Sequence, residues 1–368
     1  MKKKHLWLIL FYLGCAAIGF FGAYFDLFSG LLDHLTIENA LIYLLLFLIS
    51  LFLVINIHEF GHFVFGKLLG YKLLMYQIGL LNFTYENGKM KFSFKKTKGF
   101  DGFCAMIPPK DASAFDKRNL LYYAGGIGFN VATGILALVA LSITENPSLR
   151  SFIYIFAWMS IILGLFNLIP FKTAGNQFSD GKFIIGILRQ NEHVSAMLAL
   201  QNVVTQLAGG IRPKKLNFDH KELANFDDPS LFLLQYFHAL DQENDDKAKE
   251  LIEKLISRLD DVSSIALPGN YYEIITAGIL FNQSEWIEKY YSLVEKTLNH
   301  DRDLNGERVK AYYAWYTGNQ DQAKQHIERA KAVADKFPLR GQAEMELALL
   351  DRLEQKINSD LTPAEQRL

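Results

Sequence analysis

ENALIYLLLFLISLFLVINIHEFGHFVFG, residues 38–66, is a spanning-length apolar run that ends in His58-Glu59-Phe60-Gly61-His62, with no Lys or Arg anywhere between Lys4 and Lys67. Ionisable side chains are expensive inside hydrocarbon, so two histidines and a glutamate at the end of such a run need a compensating partner, and a bound cation is one. On a helix, His58 and His62 lie one turn apart on one face, where two imidazole nitrogens can hold one tetrahedral zinc. Glu59 stands beside them. In sites of this kind the metal lowers the pKa of a bound water and the adjacent carboxylate takes the proton, which is the chemistry of peptide hydrolysis.

Working outward, the 368-residue chain is 50% hydrophobic with a net charge of -1, and most of its long apolar runs precede residue 190. The remainder is charge-rich. Four segments reach spanning length or nearly so, at about 6–28, 38–66, 120–144 and 150–171. The first follows Lys2 to Lys4 and continues past Cys15 to Phe28, which favours an uncleaved helix over a signal peptide. Basic residues gather before the first span and, ten of them from Lys67 to Arg118, between the second and third; the opposite loops carry only Arg150. By the positive-inside rule both termini and the middle loop face the cytoplasm. The chain is therefore expected in the cell membrane, multi-pass, in contact with the lipid bilayer. No Arg-rich patch with interleaved aromatics appears, so nucleic acid is not an expected ligand. Cys15 and Cys104 form neither a disulfide framework nor a C-x-x-C knuckle and read as structural.

The middle loop, 71–118, contains Asn82 to Tyr85 and Lys89 to Phe94 flanking Glu86-Asn87-Gly88, the signature of a β-hairpin with a tight turn. Its exposed edge would be able to take up an extended substrate by strand addition; as a basic loop it would instead touch anionic headgroups. Two histidines also leave one protein ligand to be found. Asp180, in Ser179-Asp180-Gly181 shortly after the fourth span, is the candidate. Its other reading is a helix start, with Ser179 or Asp180 capping the helix that contains Phe183 to Leu188. His193 is a further candidate, in a stretch that looks like solvated surface.

These residues resemble the site-2 proteases, intramembrane zinc metalloproteases. His58 to His62 correspond to the family's H-E-x-x-H helix, and Asn167, Pro170, Asp180 and Gly181 to its Asn/Pro…Asp-Gly segment. The resemblance implies Zn2+ as cofactor, Glu59 as the catalytic carboxylate and His58, His62 and Asp180 as ligands. Ala124 to Asn130 is similar to the family's Gly-rich motif, which implies that Asn130, like Asn167, positions the substrate; otherwise Gly125, Gly126 and Gly128 form a helix-packing face. This chain departs from the pattern at three points. The Gly-rich motif lacks its usual Pro, the interval from Pro170 to Asp180 is longer, with an inserted loop at 171–179, and Lys182 stands where a second Gly is common. The insertion bears directly on Asp180.

After the turn-rich Gly209 to Pro213, three sets share offsets: Ala239, Asn244 and Ala248; Ala277, Asn282 and Trp286; Ala314, Asn319 and Ala323, at a pitch of 38 and then 37 residues. Small residues on paired helices with a turn between them are similar to a tetratricopeptide array, which would stack into a peptide-binding surface for a cytosolic partner. An irregular helical bundle is the alternative. The expected protein is thus mainly α: a polytopic helical membrane domain over 1–190 with the hairpin inserted at 71–118, then a soluble helical-repeat domain over 215–357. The expected activity is intramembrane cleavage of a membrane-spanning protein or peptide near the cytoplasmic face. Its rival is a non-catalytic scaffold that recruits partners through the repeats. A metal transporter fits less well, because the spans hold few other intramembrane carboxylates or histidines.

Overall fold

The computed structural model describes residues 39–86, 89–94, 102–109, 112–172, 178–218 and 221–359. Three helices among them are long and apolar enough to cross a membrane: α1 (Ala40–Leu68), α2 (Lys117–Leu141) and α3 (Pro147–Leu168). The expected span at 6–28 lies outside the described residues. Helices α2 and α3 begin and end three residues before the runs that hydropathy picks out, because helix ends follow turn chemistry rather than apolarity. Pro147 is preset for a first turn, and Asn146 Oδ1 accepts the Leu149 N–H at 3.0 Å. At the start of α2 the Asp116 carboxylate takes the Arg118 N–H at 2.7 Å. Leu41, Ile42 and Leu45 of α1 and Leu136 and Val139 of α2 are each more than half exposed, the surface of helices meant for an apolar solvent.

Two compact units divide the described residues, one containing the chain to Val54 with Val131–Ile162, the other Ile55–Asn130 with Leu163 onward. Within the first, Thr133 Oγ1 and Ser160 Oγ lie 3.2 Å apart, a hydroxyl pair linking α2 to α3 in the manner of membrane helices.

The second unit contains a four-stranded antiparallel sheet, β1 (Lys72–Ile78), β2 (Leu81–Glu86), β3 (Lys89–Phe94) and β4 (Gly102–Ile107), in the order β3-β2-β1-β4. The hairpin expected from the sequence is β2–β3, with Phe83 opposite Phe92 and Thr84 opposite Lys91; its turn residues Asn87 and Gly88 lie outside the described residues. Strands β1 and β4 go beyond that reading. Leu73 to Gln77 of β1 are all buried, so the run shows no alternation, and an unbroken apolar run does not distinguish a covered strand from a helix segment.

Helices follow to the end of the described chain. α4 (Asp180–Leu188) and α5 (Glu192–Ala208) lead into three helix pairs: α6 (Pro229–Asp241) with α7 (Asp245–Ser257), α8 (Leu267–Leu280) with α9 (Ser284–His300), and α10 (Leu304–Tyr316) with α11 (Gln320–Val333). α12 (Arg340–Asn358) closes the series. The recurring Asn residues fall at the turn of each pair: Asn244 and Asn319 cap α7 and α11, and Asn282 takes a left-handed φ of 55°. Leu200, Val203 and Leu207 of α5 share one apolar core with α6 to α12, so that core starts before residue 215.

One helix of each pair and α12 meet at a buried polar centre. Arg308 pairs with Glu273 at 2.7 Å and with Glu346, and all three side chains, like Tyr236 and Tyr312, are no more than 2% exposed. Burial pushes the Glu273 carboxyl up to about 8, against the pull of Arg308 and with the help of Glu346. The folded chain therefore holds a proton that the unfolded chain loses near 4.5, and stability falls as pH rises between those values. Glu273→Gln copies the shape of the protonated acid. It is expected to keep stability near pH 5 within about 1 kcal/mol and to flatten the decline toward pH 8. Thermal unfolding of the detergent-solubilised chain across that range checks this; an unchanged slope refutes it.

Candidate metal centre

Helix α1 puts His58 and His62 on one face as its spacing requires, and α2 crosses that face closely. Gly126 is what permits the crossing: a Cβ there would stand 2.7 Å from His62 Nε2 and 2.8 Å from His58 Cε1. Gly125 likewise meets the Gly61 backbone, whereas nothing lies within 4 Å of a Cβ on Gly128. Of the expected packing glycines, only Gly125 and Gly126 have that role.

The third group comes from the start of α4. Ser179, not Asp180, caps that helix, its Oγ accepting the Lys182 N–H. Ser179 Oγ also donates to the Ile169 carbonyl at 2.8 Å and accepts the Phe171 N–H at 3.1 Å. Lys172 and Phe178 pair as an antiparallel bridge. Residues 173–177 between them lie outside the described residues; Lys172 and Phe178, which flank them, are joined, and Asp180 stays beside the histidines. Gly181 completes the junction, since any Cβ there would collide with the Leu168 carbonyl.

With the cap supplied by Ser179, the Asp180 carboxylate is available to the histidines. Its Oδ2 lies 2.9 Å from His58 Nε2 and 3.5 Å from His62 Nε2, and the two Nε2 atoms are 3.2 Å apart. Donors bonded to one tetrahedral zinc at about 2.0–2.2 Å stand roughly 3.3–3.6 Å from each other, so spreading this set by a few tenths of an ångström would accommodate such an ion. His62 Nδ1 donates to the Tyr122 carbonyl at 2.9 Å, the outer-shell bond that leaves Nε2 as the ligand atom. Burial opposes charge on Asp180, but the facing His62 and His58 rings hold its carboxyl below the usual carboxylate range, so it offers an anionic oxygen at neutral pH.

Glu59 is half-buried, and one carboxylate oxygen, Oε2, accepts the Cys104 N–H at 3.0 Å. The strand beside the site is therefore β4, which the sequence reading did not foresee. The expected hairpin edge, β3, lies at the opposite side of the sheet, about 14 Å away across three strand spacings. A segment added to β3 would thus run far from Glu59. Among the other candidates, Asn130 is buried, its Nδ2 3.5 Å from His58 Nδ1. Asn167 is half-buried in the last turn of α3, next to the Leu168 that packs on Gly181. His193 is not brought to the centre; its ring packs between Phe178 and Phe226. In the sequence Cys104 reads only as structural, because a role carried by a backbone N–H leaves no mark on residue type.

The sequence profile of peptidase family M50 matches residues 46–148. No curated protein and no solved structure matches the chain. The profile spans His58 to Asn130 and stops before Asp180, whose place at the centre rests on the geometry above. Three helices of spanning length and apolarity among the described residues make this a membrane protein. Over residues 46–148 the chain is similar to peptidase family M50, the site-2 protease family of metallopeptidases.

Proposed function

We propose that the chain is a zinc endopeptidase that cleaves membrane-spanning proteins or peptides near the cytoplasmic face, releasing a tethered regulator or removing a leader. The observation that carries this reading is the convergence of His58 Nε2, His62 Nε2 and Asp180 Oδ2 within 3.5 Å of one another, one residue from a carboxylate. His58, His62 and Asp180 would hold a zinc ion, which would supply Lewis acidity for the hydrolysis of a peptide bond. Glu59 takes the proton from the attacking water and returns it to the departing amine as the C–N bond breaks. The Cys104 N–H holds the Glu59 carboxylate in place meanwhile.

Peptide carbonyls in a regular helix are tied up in hydrogen bonds, so the substrate must unwind, and extended backbone is tolerated only where protein or water can pair it. A site at the end of α1 rather than at its middle meets that condition. The basic residues from Lys67 onward put this end on the cytoplasmic side, with both termini. A cytosolic partner of the helix pairs would bind their outer surfaces, the inner faces being filled by Tyr236, Arg308 and Tyr312. Comparing the membrane proteomes of cells that carry the wild type or Glu59→Gln tests the reading. Spanning proteins should accumulate intact with the variant, and their wild-type fragments should end in the cytoplasmic half of the span. Accumulation confined to proteins without a spanning segment would overturn it.

A further inference from the structure

The two histidines are supported differently. The His62 ring is locked by the Tyr122 carbonyl. His58 also turns Nε2 to the centre, 2.9 Å from Asp180 Oδ2. A neutral imidazole that offers its Nε2 lone pair to a cation carries its proton on Nδ1. Where water does not reach it, that proton needs an acceptor, since a donor left unmatched away from solvent is unfavourable. The polar group that meets His58 Nδ1 is the side-chain amide of Asn130, 3.5 Å away on α2, and Asn130 is only 1% exposed.

We infer that Asn130 is a positioning residue, accepting the His58 Nδ1 proton on its amide oxygen and so holding Nε2 aimed at the metal. The nitrogen and oxygen of a carboxamide exchange by a half-turn about the last side-chain bond with almost no change of shape. The proton on Nδ1 selects the orientation with oxygen toward the ring. The atom 3.5 Å from Nδ1 is the amide nitrogen; the half-turn puts the oxygen in its place, and a shift of a few tenths of an ångström then brings it into the usual N–H···O range. Asn130 would then do from α2 for His58 what the Tyr122 carbonyl, also on α2, does for His62, so that one helix fixes both rings. The inference rests on the zinc reading above. It assigns Asn130 to the ligand side of the site, where the family resemblance implies contact with substrate.

The test is zinc affinity of the purified full-length chain, read by competition with a chromophoric chelator, for the wild type, Asn130→Leu and Asn130→Asp. Loss of an outer-shell acceptor typically weakens metal binding 10–100-fold, and that loss is expected for Asn130→Leu. Asn130→Asp retains an acceptor and should bind zinc within about threefold of the wild type or more tightly. Cleavage measured alongside separates the roles: a residue that serves substrate alone would alter KM or kcat in Asn130→Leu and leave zinc affinity untouched. Unchanged affinity in Asn130→Leu overturns the inference while leaving the zinc site standing. Equal loss in Asn130→Asp also overturns it, since the residue would then be only structural. A wild-type chain that binds no zinc overturns the reading of the site, and the inference with it.

Discussion

Glu59→Gln is expected to abolish cleavage while leaving zinc bound. The substitution isolates chemistry from position. Glu59 is held by the Cys104 N–H at 3.0 Å, and a glutamine carbonyl oxygen can accept the same bond, so the side chain stays where it is. His58, His62 and Asp180 are untouched. What disappears is a base able to take the proton of the attacking water, a contribution of about 10²–10⁴ in rate. Here the same group must also protonate the leaving amine, so a loss near the upper end, roughly 10³–10⁴, is expected. Cleavage of a membrane-spanning reporter in proteoliposomes, with metal content determined on the same sample, reads both halves. Activity within tenfold of the wild type would remove Glu59 from the mechanism. Zinc lost together with activity would show that Glu59 supports the ion rather than the reaction.

The parts of this site that the sequence made legible are those carried by local geometry. Spacing of four residues on a helix is enough to put His58 and His62 together, and the apolar run before them fixes their setting at the end of a span. Asn-Gly between alternating segments is enough to announce β2–β3. The parts that stayed hidden depend on contacts distant in the chain. β4 pairs with β1, Tyr76 opposite Cys104, between residues far apart in the chain, and the fully covered stretch of β1 shows no period by which to recognise it. The choice between ligand and helix cap at residues 179 and 180 was open in the same way, because Ser and Asp both cap well. Packing decides the cap: Ser179 Oγ reaches the Ile169 carbonyl and the Phe171 N–H, a bond pattern that needs the end of α3 alongside.

That decision leads to the second large effect. Asp180→Asn is expected to weaken zinc binding by more than the 10–100-fold typical of an outer-shell change, and to take cleavage down with it. Asparagine matches aspartate closely in size and shape, and Ser179 still caps α4, so the helix start should survive. The carboxamide, however, is a neutral and poorer ligand than the carboxylate, which stands 2.9 Å and 3.5 Å from the two histidine nitrogens. Two imidazoles alone leave a zinc ion short of the three protein ligands that hydrolytic sites use. Ser179→Ala is the matching control. It removes the cap and the link to Ile169, costing about 1 kcal/mol, but it keeps the carboxylate, so zinc should remain stoichiometric. The reverse pattern, with zinc retained in Asp180→Asn and lost in Ser179→Ala, would mean that the junction matters only as scaffold and that another group completes the site. Chelator competition on the purified variants distinguishes these outcomes without any substrate in hand.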